Sequence, residues 1–331
     1  MVVGIKNFNL FICSTPLQMI IAEKIIITNR LPSEKNIIIV LHANSNEKYL
    51  NYANRLKKLA FEMFYFSMDF GSSRIKKLKH HYKIKNFLKC NFSNENSYDV
   101  YFANINDMTI SQLCTMINVN RVFTFDDGIG NVNKKSIYFR DEKNSIQNKI
   151  LRWIMGIKEK QITLKGKIFK HYTIYDGLDN IVKKEKLIPL SIWPFDSDLN
   201  KTKGVREIKK IFLGQPFNEL GVEEQIIIKN IKSLGIEYYF PHPREKNKIH
   251  NVNYINTSMI FEEYIYNEII ENTDTSYEIY SIISSALLNI NELSLTERLS
   301  VCYLYTDDIK KQYSDVYELF DKMNIYSIKI R

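Results

Sequence analysis

The stretch NLFICSTPLQMIIAEKIIITN at residues 9–29, followed by NIIIVLH at 36–42, decides the fold. Asn9 to Cys13 is a short apolar run suited to a buried strand. Ser14-Thr15-Pro16 breaks it, a helical run follows, and a second apolar run opens at Asn36. Outward from there the alternation continues: a helix-like EKYLNYANRLKKLAFEM, the strand FYFSM, a basic helix, the strand DVYFAN, another helix, and the strand RVFTF running into Asp126. Short apolar runs alternating with longer segments of helical period are the signature of βαβ units and a parallel sheet. The predicted fold class is α/β.

Between about 135 and 205 the pattern loosens. KNSIQNKILRWIMGI reads as a helix, LKGKIFKHYTIYDGL as helix and hairpin or loop, and LIPLSIWPFDSDLNKTKG, with Pro189 and Pro194, as a linker. The rhythm then resumes with IKKIFLG, a helix near 222–234, GIEYYFPHP, an amphipathic helix around FEEYIYNEIIEN, YEIYSI, a helix and VCYLY. This predicts a first α/β domain over 1–180, a linker over 181–205 and a second α/β domain over 206–331. The length of 331 residues suits two domains better than one.

Hydrophobic residues make up 45% and charged residues 25%, a balance that excludes disorder, collagen-like fibre and coiled coil. Lys and Arg outnumber Asp and Glu by 46 to 37, for a formal charge of +9. That suits an anionic partner: nucleic acid, an anionic membrane surface, or an acidic or phosphorylated substrate. Biased base composition also accounts for part of it. Within 75–86, Lys76, Lys77, Lys79, Lys83 and Lys85 are clustered. A solvated helix face is the first reading, and contact with an anionic membrane surface or glycan is the sharper one. Tyr82 alone interleaves them, so no single-stranded nucleic-acid platform is indicated. Cys13, Cys90, Cys114 and Cys302 are scattered and form no CxxC pair, which points to neither zinc nor a disulfide framework. No apolar run has transmembrane length, and Asn7, Asn9 and Gln18 interrupt the opening stretch. A first buried strand and a cytoplasmic protein are expected.

In open parallel sheets, ligands bind at the carboxyl ends of strands, near the switch in strand order. Four strand ends carry chemistry. RVFTF leads into Asp126-Asp127-Gly128-Ile129-Gly130-Asn131, where adjacent carboxylates could act as bases or hold a hydroxyl, or simply cap a turn. GIEYYF leads into Pro241-His242-Pro243-Arg244-Glu245, a histidine stiffened by two prolines and suited to a phosphate or a proton. YEIYSI leads into Ser284-Ser285 at a helix start, equally a phosphate seat or an ordinary cap. IKKIFLG leads into Gly214-Gln215-Pro216-Phe217-Asn218-Glu219, where Gly214 permits close ligand approach and Glu219 is either a loop carboxylate or a functional one. No GxGxxG after the first strand, no GxxxxGK[ST] and no GxSxG is present.

Several blocks, taken in order, resemble the bacterial sialyltransferases of glycosyltransferase family 52. They are CSTPLQMIIAEKII, NEKY at 46–49, TFDDGIGN at 124–131, HYTIYDGLDNI at 171–181, FLGQP at 212–216, PHPRE at 241–245, EEYI at 262–265 and YEIYSIISSAL at 277–287. The resemblance implies a GT-B architecture, two Rossmann-like domains with parallel sheets facing a central cleft, with the last helix free to pack back on the first domain. It implies transfer of N-acetylneuraminic acid from CMP-Neu5Ac to a terminal galactose of a lipooligosaccharide or capsular glycan, with inversion and with no cofactor or divalent metal. The first half would bind the acceptor and the second the donor, with His242, Ser284 and Ser285 at the phosphate. Asp126, Gly128, Gly214, Gln215, Pro243 and Arg244 complete the expected binding residues. Some relatives place an aspartate just after Gly-x-Pro of the first strand of the second domain; here that position is Phe217. Glu219 is the first candidate for the general base and Asp127 the rival, and the choice stays open. The competing readings are a GT-B enzyme using another nucleotide sugar and a non-catalytic protein that binds polyanions or glycans. No nucleic-acid partner is expected; peripheral contact with the inner membrane face and a homodimer complete the expected associations.

Overall fold

The computed structural model describes residues 6–42, 46–68, 73–140, 145–193, 204–221, 223–245 and 248–330, and for 218, 219, 294 and 295 the backbone alone. The chain divides into two compact units, Met1–Ile192 and Trp193–Arg331.

In the first unit, β1 (Asn7–Cys13), β2 (Asn36–His42), β3 (Glu62–Ser67), β4 (Ser97–Phe102), β5 (Val119–Phe125), β6 (Ile168–Thr173) and β7 (Leu187–Pro189) form one sheet of order β3-β2-β1-β4-β5-β6-β7. Every pairing is parallel. The strands come with α1 (Pro16–Thr28), α2 (Glu47–Lys57), α3 (Arg74–Asn91), α4 (Met108–Met116), α5 (Ile146–Met155) and α6 (Gln161–Lys167). Strands covered on both faces need continuous apolar runs rather than alternation. NIIIVLH meets that need: Asn36 to Leu41 are all buried. α1 starts where Thr15 accepts a hydrogen bond from the Gln18 N–H and Pro16 supplies a preset φ at the first turn.

Polar residues also enter this interior, each with partners. At the amino-terminal edge the buried Asp99 accepts from Asn120 Nδ2 at 2.8 Å and from Arg121 Nη2 at 2.5 Å, joining β4 to β5. Asn9 Nδ2 donates to Asn36 Oδ1 at 2.9 Å and so ties β1 to β2.

In the second unit, β8 (Glu207–Leu213), β9 (Tyr238–Phe240), β10 (Asn253–Tyr254), β11 (Thr275–Ser281), β12 (Leu299–Tyr305) and β13 (Tyr326–Lys329) form a parallel sheet of order β10-β9-β8-β11-β12-β13. With them are α7 (Phe217–Leu220), α8 (Glu224–Ser233), α9 (Phe261–Glu271), α10 (Ala286–Ile290), α11 (Asp307–Gln312) and α12 (Ser314–Lys322). Two Rossmann-like units in tandem are the element content of a GT-B chain. Each sheet switches direction once, between β1 and β4 in the first and between β8 and β11 in the second.

The boundaries differ from the sequence reading in two places. β6 and β7 both extend the first sheet, and β7 lies inside the stretch expected to be a linker. Their runs are short and broken by polar residues, one of which, His171, is fully buried through its partners. After the last helix, α12, the chain adds one more strand: β13 pairs with β12 in the second sheet.

At the interface of α3 with α4, His80 and His81 are buried, with His80 Nε2 3.3 Å from Thr109 Oγ1 and His81 Nδ1 2.8 Å from Gln112 Oε1. Burial, helped by His81 and Lys83, pushes His80 down to about 4 from the ordinary 6.5, and burial lowers His81 as well. Between these limits the unfolded chain binds a proton that the folded chain does not, so stability falls as pH falls through that window. His80 accounts for about 3 kcal/mol of that loss. Urea unfolding at pH 7, 5.5 and 4.5 is expected to show a shallower pH dependence for His80→Asn than for wild type, with His81 sustaining the remainder.

Candidate active site

At the carboxyl edge of the first sheet, the separated blocks CSTPLQ, NEKY and DDGIGN come together on Asp127. Thr15 caps α1, and this turn carries the buried Gln18 back under the end of β1. Gln18 Oε1 accepts from the Ser14 N–H at 2.6 Å, and its Nε2 donates to Asp127 Oδ1 at 2.7 Å. Tyr138 O–H donates to Asp127 Oδ2 at 2.5 Å. Tyr49, set by the Asn46 cap of α2, donates its O–H to the Ser14 carbonyl at 2.9 Å. Burial and the Asp127 charge hold the Tyr49 and Tyr138 hydroxyls above the usual tyrosine range, which keeps both as donors.

The glycines of this turn have separate reasons. Gly128 has φ 54°, a left-handed conformation that favours glycine. At Gly130 a Cβ would lie 2.6 Å from Tyr138 Cε2, so the missing side chain makes room for the ring that reaches Asp127.

Asp126 has a different fate from its neighbour. It is fully buried and accepts four hydrogen bonds, from His171 Nε2 at 2.9 Å, Thr173 Oγ1 at 2.7 Å, the Ile174 N–H at 2.8 Å and Asn180 Nδ2 at 3.2 Å. His171 Nδ1 in turn lies 2.8 Å from Thr124 Oγ1. Asp126, expected among the substrate-binding residues, joins the HYTIYDGLDN segment to the end of β5, and these four donors all belong to the first unit. Successive residues at a strand end point to opposite sides, which separates Asp126 from Asp127.

At the carboxyl edge of the second sheet, the loops after β8, β9 and β11 are tied together by Glu245 and Gln215. Glu245 Oε1 accepts from Tyr239 O–H at 2.5 Å and Oε2 from the His242 N–H at 3.0 Å, and the carboxylate also accepts from the Gln215 N–H. Burial raises the Glu245 carboxyl above its usual range, and these three donors oppose that rise. Gly214 is required beneath it, since a Cβ there would lie 2.5 Å from Glu245 Oε1 and 2.6 Å from the Tyr239 hydroxyl. The buried Gln215 sends Oε1 to the Ile283 N–H at 3.0 Å, and Ser281 Oγ donates to the Leu213 carbonyl at 3.0 Å. β8 and β11 are the two strands of the switch point, so Gly214, Gln215 and Ser284 sit where such sheets take ligands.

His242 Nδ1 accepts from the Arg244 N–H at 3.1 Å. That bond assigns the tautomer: the proton of the neutral ring is on Nε2. Pro243 and Arg244 are exposed. Ser284 Oγ accepts from the Ala286 N–H at 3.3 Å, while Ser285 makes no side-chain cap. The helix they start, α10, has only five residues, so its dipole is weak and any anion there would rely on hydroxyls and local N–H groups. α7 places residue 219 in a short helix after Pro216, and the Glu219 side chain lies outside the described residues. Phe217 is buried with its ring 6.3 Å from that of Phe212. Among the described residues no group of three or more His, Cys, Asp or Glu side chains is placed to hold a metal ion.

Sequence reasoning missed Gln18, Tyr49, Tyr138 and Glu245. Gln18, Tyr49 and Glu245 lie inside the quoted blocks, whereas Tyr138 carries no local signal, because its role depends on a ring passing over Gly130.

The sequence model of glycosyltransferase family 52 matches residues 33–302. A CMP-N-acetylneuraminate:beta-galactoside alpha-2,3-sialyltransferase of Pasteurella multocida is 35% identical over 98% of this chain and 99% of its own length. An N-acetyllactosaminide alpha-2,3-sialyltransferase of Neisseria meningitidis is 30% identical, covering 96% of this chain and 84% of its own. One of Haemophilus influenzae is 29% identical, covering 85% and 88%. Among solved structures, a sialyltransferase from Photobacterium damsela superposes with a TM-score of 0.51 at 12% identity, over 98% of this chain and 81% of that one, a likeness of fold alone. With the family model matched across most of the chain and full-length relatives at this identity, the protein belongs to glycosyltransferase family 52 and is a glycosyltransferase.

Proposed function

We propose that this enzyme is an α-2,3-sialyltransferase, moving N-acetylneuraminic acid from CMP-Neu5Ac to a terminal β-galactoside of a bacterial surface glycan, lipooligosaccharide or capsule. The observation that carries the reading is that three relatives, each aligned over most of this chain, bear that activity and that linkage in their names. The loops at the second sheet's switch point are consistent with a nucleotide-sugar donor.

In the proposed reaction the galactose hydroxyl oxygen attacks C2 of the sialic acid. The bond from C2 to the phosphate oxygen breaks, CMP leaves with the bonding pair, a carboxylate takes the hydroxyl proton, and C2 inverts. His242 offers its Nε2–H to the departing phosphate, with Ser284, Ser285 and the N–H groups after β11 beside it. CMP carries one phosphate that leaves as an anion, so no divalent ion is needed to neutralise a diphosphate. Glu219 is the first candidate for the base. Asp127 is the rival: each of its oxygens accepts one hydrogen bond and keeps a second lone pair for a proton, while the two donors stabilise the ionised form and weaken it as a base.

CMP release from CMP-Neu5Ac with lactose is expected to proceed in EDTA, and linkage-specific sialidase digestion of the product should report α-2,3. Protection from heat by UDP- or GDP-sugars and not by CMP would reassign the donor. Glu219→Ala is expected to lower kcat by about 10²-fold or more while CMP still binds; the same signature in Asp127→Ala instead would move the role there.

Glu245→Gln keeps the side-chain volume but turns one acceptor oxygen into an amide that faces a donor. Stability is expected to fall by about 1–3 kcal/mol and KM for CMP-Neu5Ac to rise several-fold, with a smaller change in kcat.

A further inference from the structure

α5 is amphipathic the wrong way round for a helix of a closed domain. Ile146, Ile150, Trp153 and Ile154 recur at helical spacing on one face and are 76%, 53%, 83% and 50% exposed. On the opposite side Arg152 and Met155 are buried, with Arg152 Nη1 donating to the Glu159 carbonyl at 2.6 Å. The charged residue is inside and the apolar stripe is in water, the reverse of the usual arrangement. α3 packs beside α5 and repeats the pattern with Ile75, Leu78 and Tyr82, which are 68%, 41% and 59% exposed. Between the two helices runs a groove of about 640 Å³ lined by Leu78, Lys79, Tyr82, Lys83 and Ile154.

The charge on the two helices of this face has one sign. α3 carries Arg74 and six lysines, α5 adds the exposed Lys149, and neither helix contains an acidic residue. Lys76, Lys77, Lys79 and Lys83 are exposed. A protein partner for so basic a face would need an acidic, apolar counter-surface. A bilayer containing anionic lipid supplies both properties, with acyl chains for the isoleucines and tryptophan and phosphate for the lysines.

We infer that α3 and α5 together form a docking face for an anionic phospholipid bilayer, with Trp153 and its isoleucine neighbours entering the interfacial layer and the α3 lysines facing lipid phosphates. The expectation from sequence reached only the basic segment; the apolar half of the face, on α5, is a structural finding. It stands on surface residues of the first unit and does not depend on the donor or acceptor proposed above.

The chain contains two tryptophans, and Trp193 is 8% exposed, so a change in tryptophan emission on adding vesicles reads Trp153. With the full-length protein, phosphatidylglycerol–phosphatidylethanolamine vesicles are expected to give a blue shift and co-sedimentation, and phosphatidylcholine vesicles neither. Raising salt from 50 to about 500 mM should weaken the binding, since the Debye length shrinks to a few ångströms. Ile150→Ser/Trp153→Ser is expected to reduce co-sedimentation by about tenfold or more, and Lys76→Gln/Lys79→Gln/Lys83→Gln to remove the preference for anionic lipid, both with wild-type Tm. Trp153→Phe should bind but lose the blue shift. Absence of wild-type binding to anionic vesicles at low salt would overturn the inference, as would undiminished binding by the Ile150/Trp153 variant. A wild-type dimer that the same variant converts to monomer, without vesicle binding, would assign the face to a second copy of the chain instead.

Discussion

Every pairing in both sheets is parallel, and that single constraint organises the molecule. A parallel strand must be followed by a crossover, so each loop leaving a strand end emerges at the same edge of its sheet. Residues far apart in the chain are thereby delivered to one line. Gln18, Tyr49 and Asp127 meet at the first sheet's edge, and Gln215, Glu245 and Ile283 at the second, without any of them being near in sequence. The opposite edge receives polar residues too, but those, like Asp99 with Asn120 and Arg121, close on one another.

The two edges are stiffened by one device used in different ways. Each has a carboxylate whose oxygens are taken up by donors from neighbouring loops, and each has a glycine that lets those donors approach. In the first unit the donors are the neutral side chains of Gln18 and Tyr138, and the carboxylate is held facing them. In the second, Glu245 accepts backbone N–H groups of the His242 and Gln215 loops beside the Tyr239 hydroxyl, so it fixes main chain as well as a side chain. The imidazole is then oriented by its own turn, through the Arg244 N–H. A site assembled this way has its loops set before any ligand arrives, which lowers the ordering required on binding.

Strands with continuous apolar runs were legible in the sequence: NLFIC, NIIIVLH and VCYLY read directly as β1, β2 and β12. β6 was not, because His171 interrupts its run and is admitted to the interior only by Thr124 and Asp126, whose proximity is a tertiary fact. β10 and β13, two and four residues long at a sheet edge, hold too few buried side chains to leave a pattern. Within the site, the loops were legible and the division of labour was not. Asp126 and Asp127 are identical letters side by side, and only the direction each takes from the end of β5 makes one an interior anchor and the other the focus of the edge. α5 was legible as a helix but its exposed apolar stripe was not, since periodicity says which residues share a face and not what the face meets.

The contact of Tyr138 with Gly130 also limits how this family member can change over time. The ring occupies the volume a Cβ at 130 would fill, and its hydroxyl is held in place by Asp127. The two positions are therefore a single unit of substitution with a preferred order. A smaller residue at 138 opens space and gives up one hydrogen bond, a step the fold can absorb; a side chain at 130 while the tyrosine is still present displaces the ring and the carboxylate it holds together. Lineages that carry alanine or serine at 130 should thus be found with a reduced residue at 138, and the reverse pairing, glycine at 130 with a small residue at 138, marks the intermediate through which they passed.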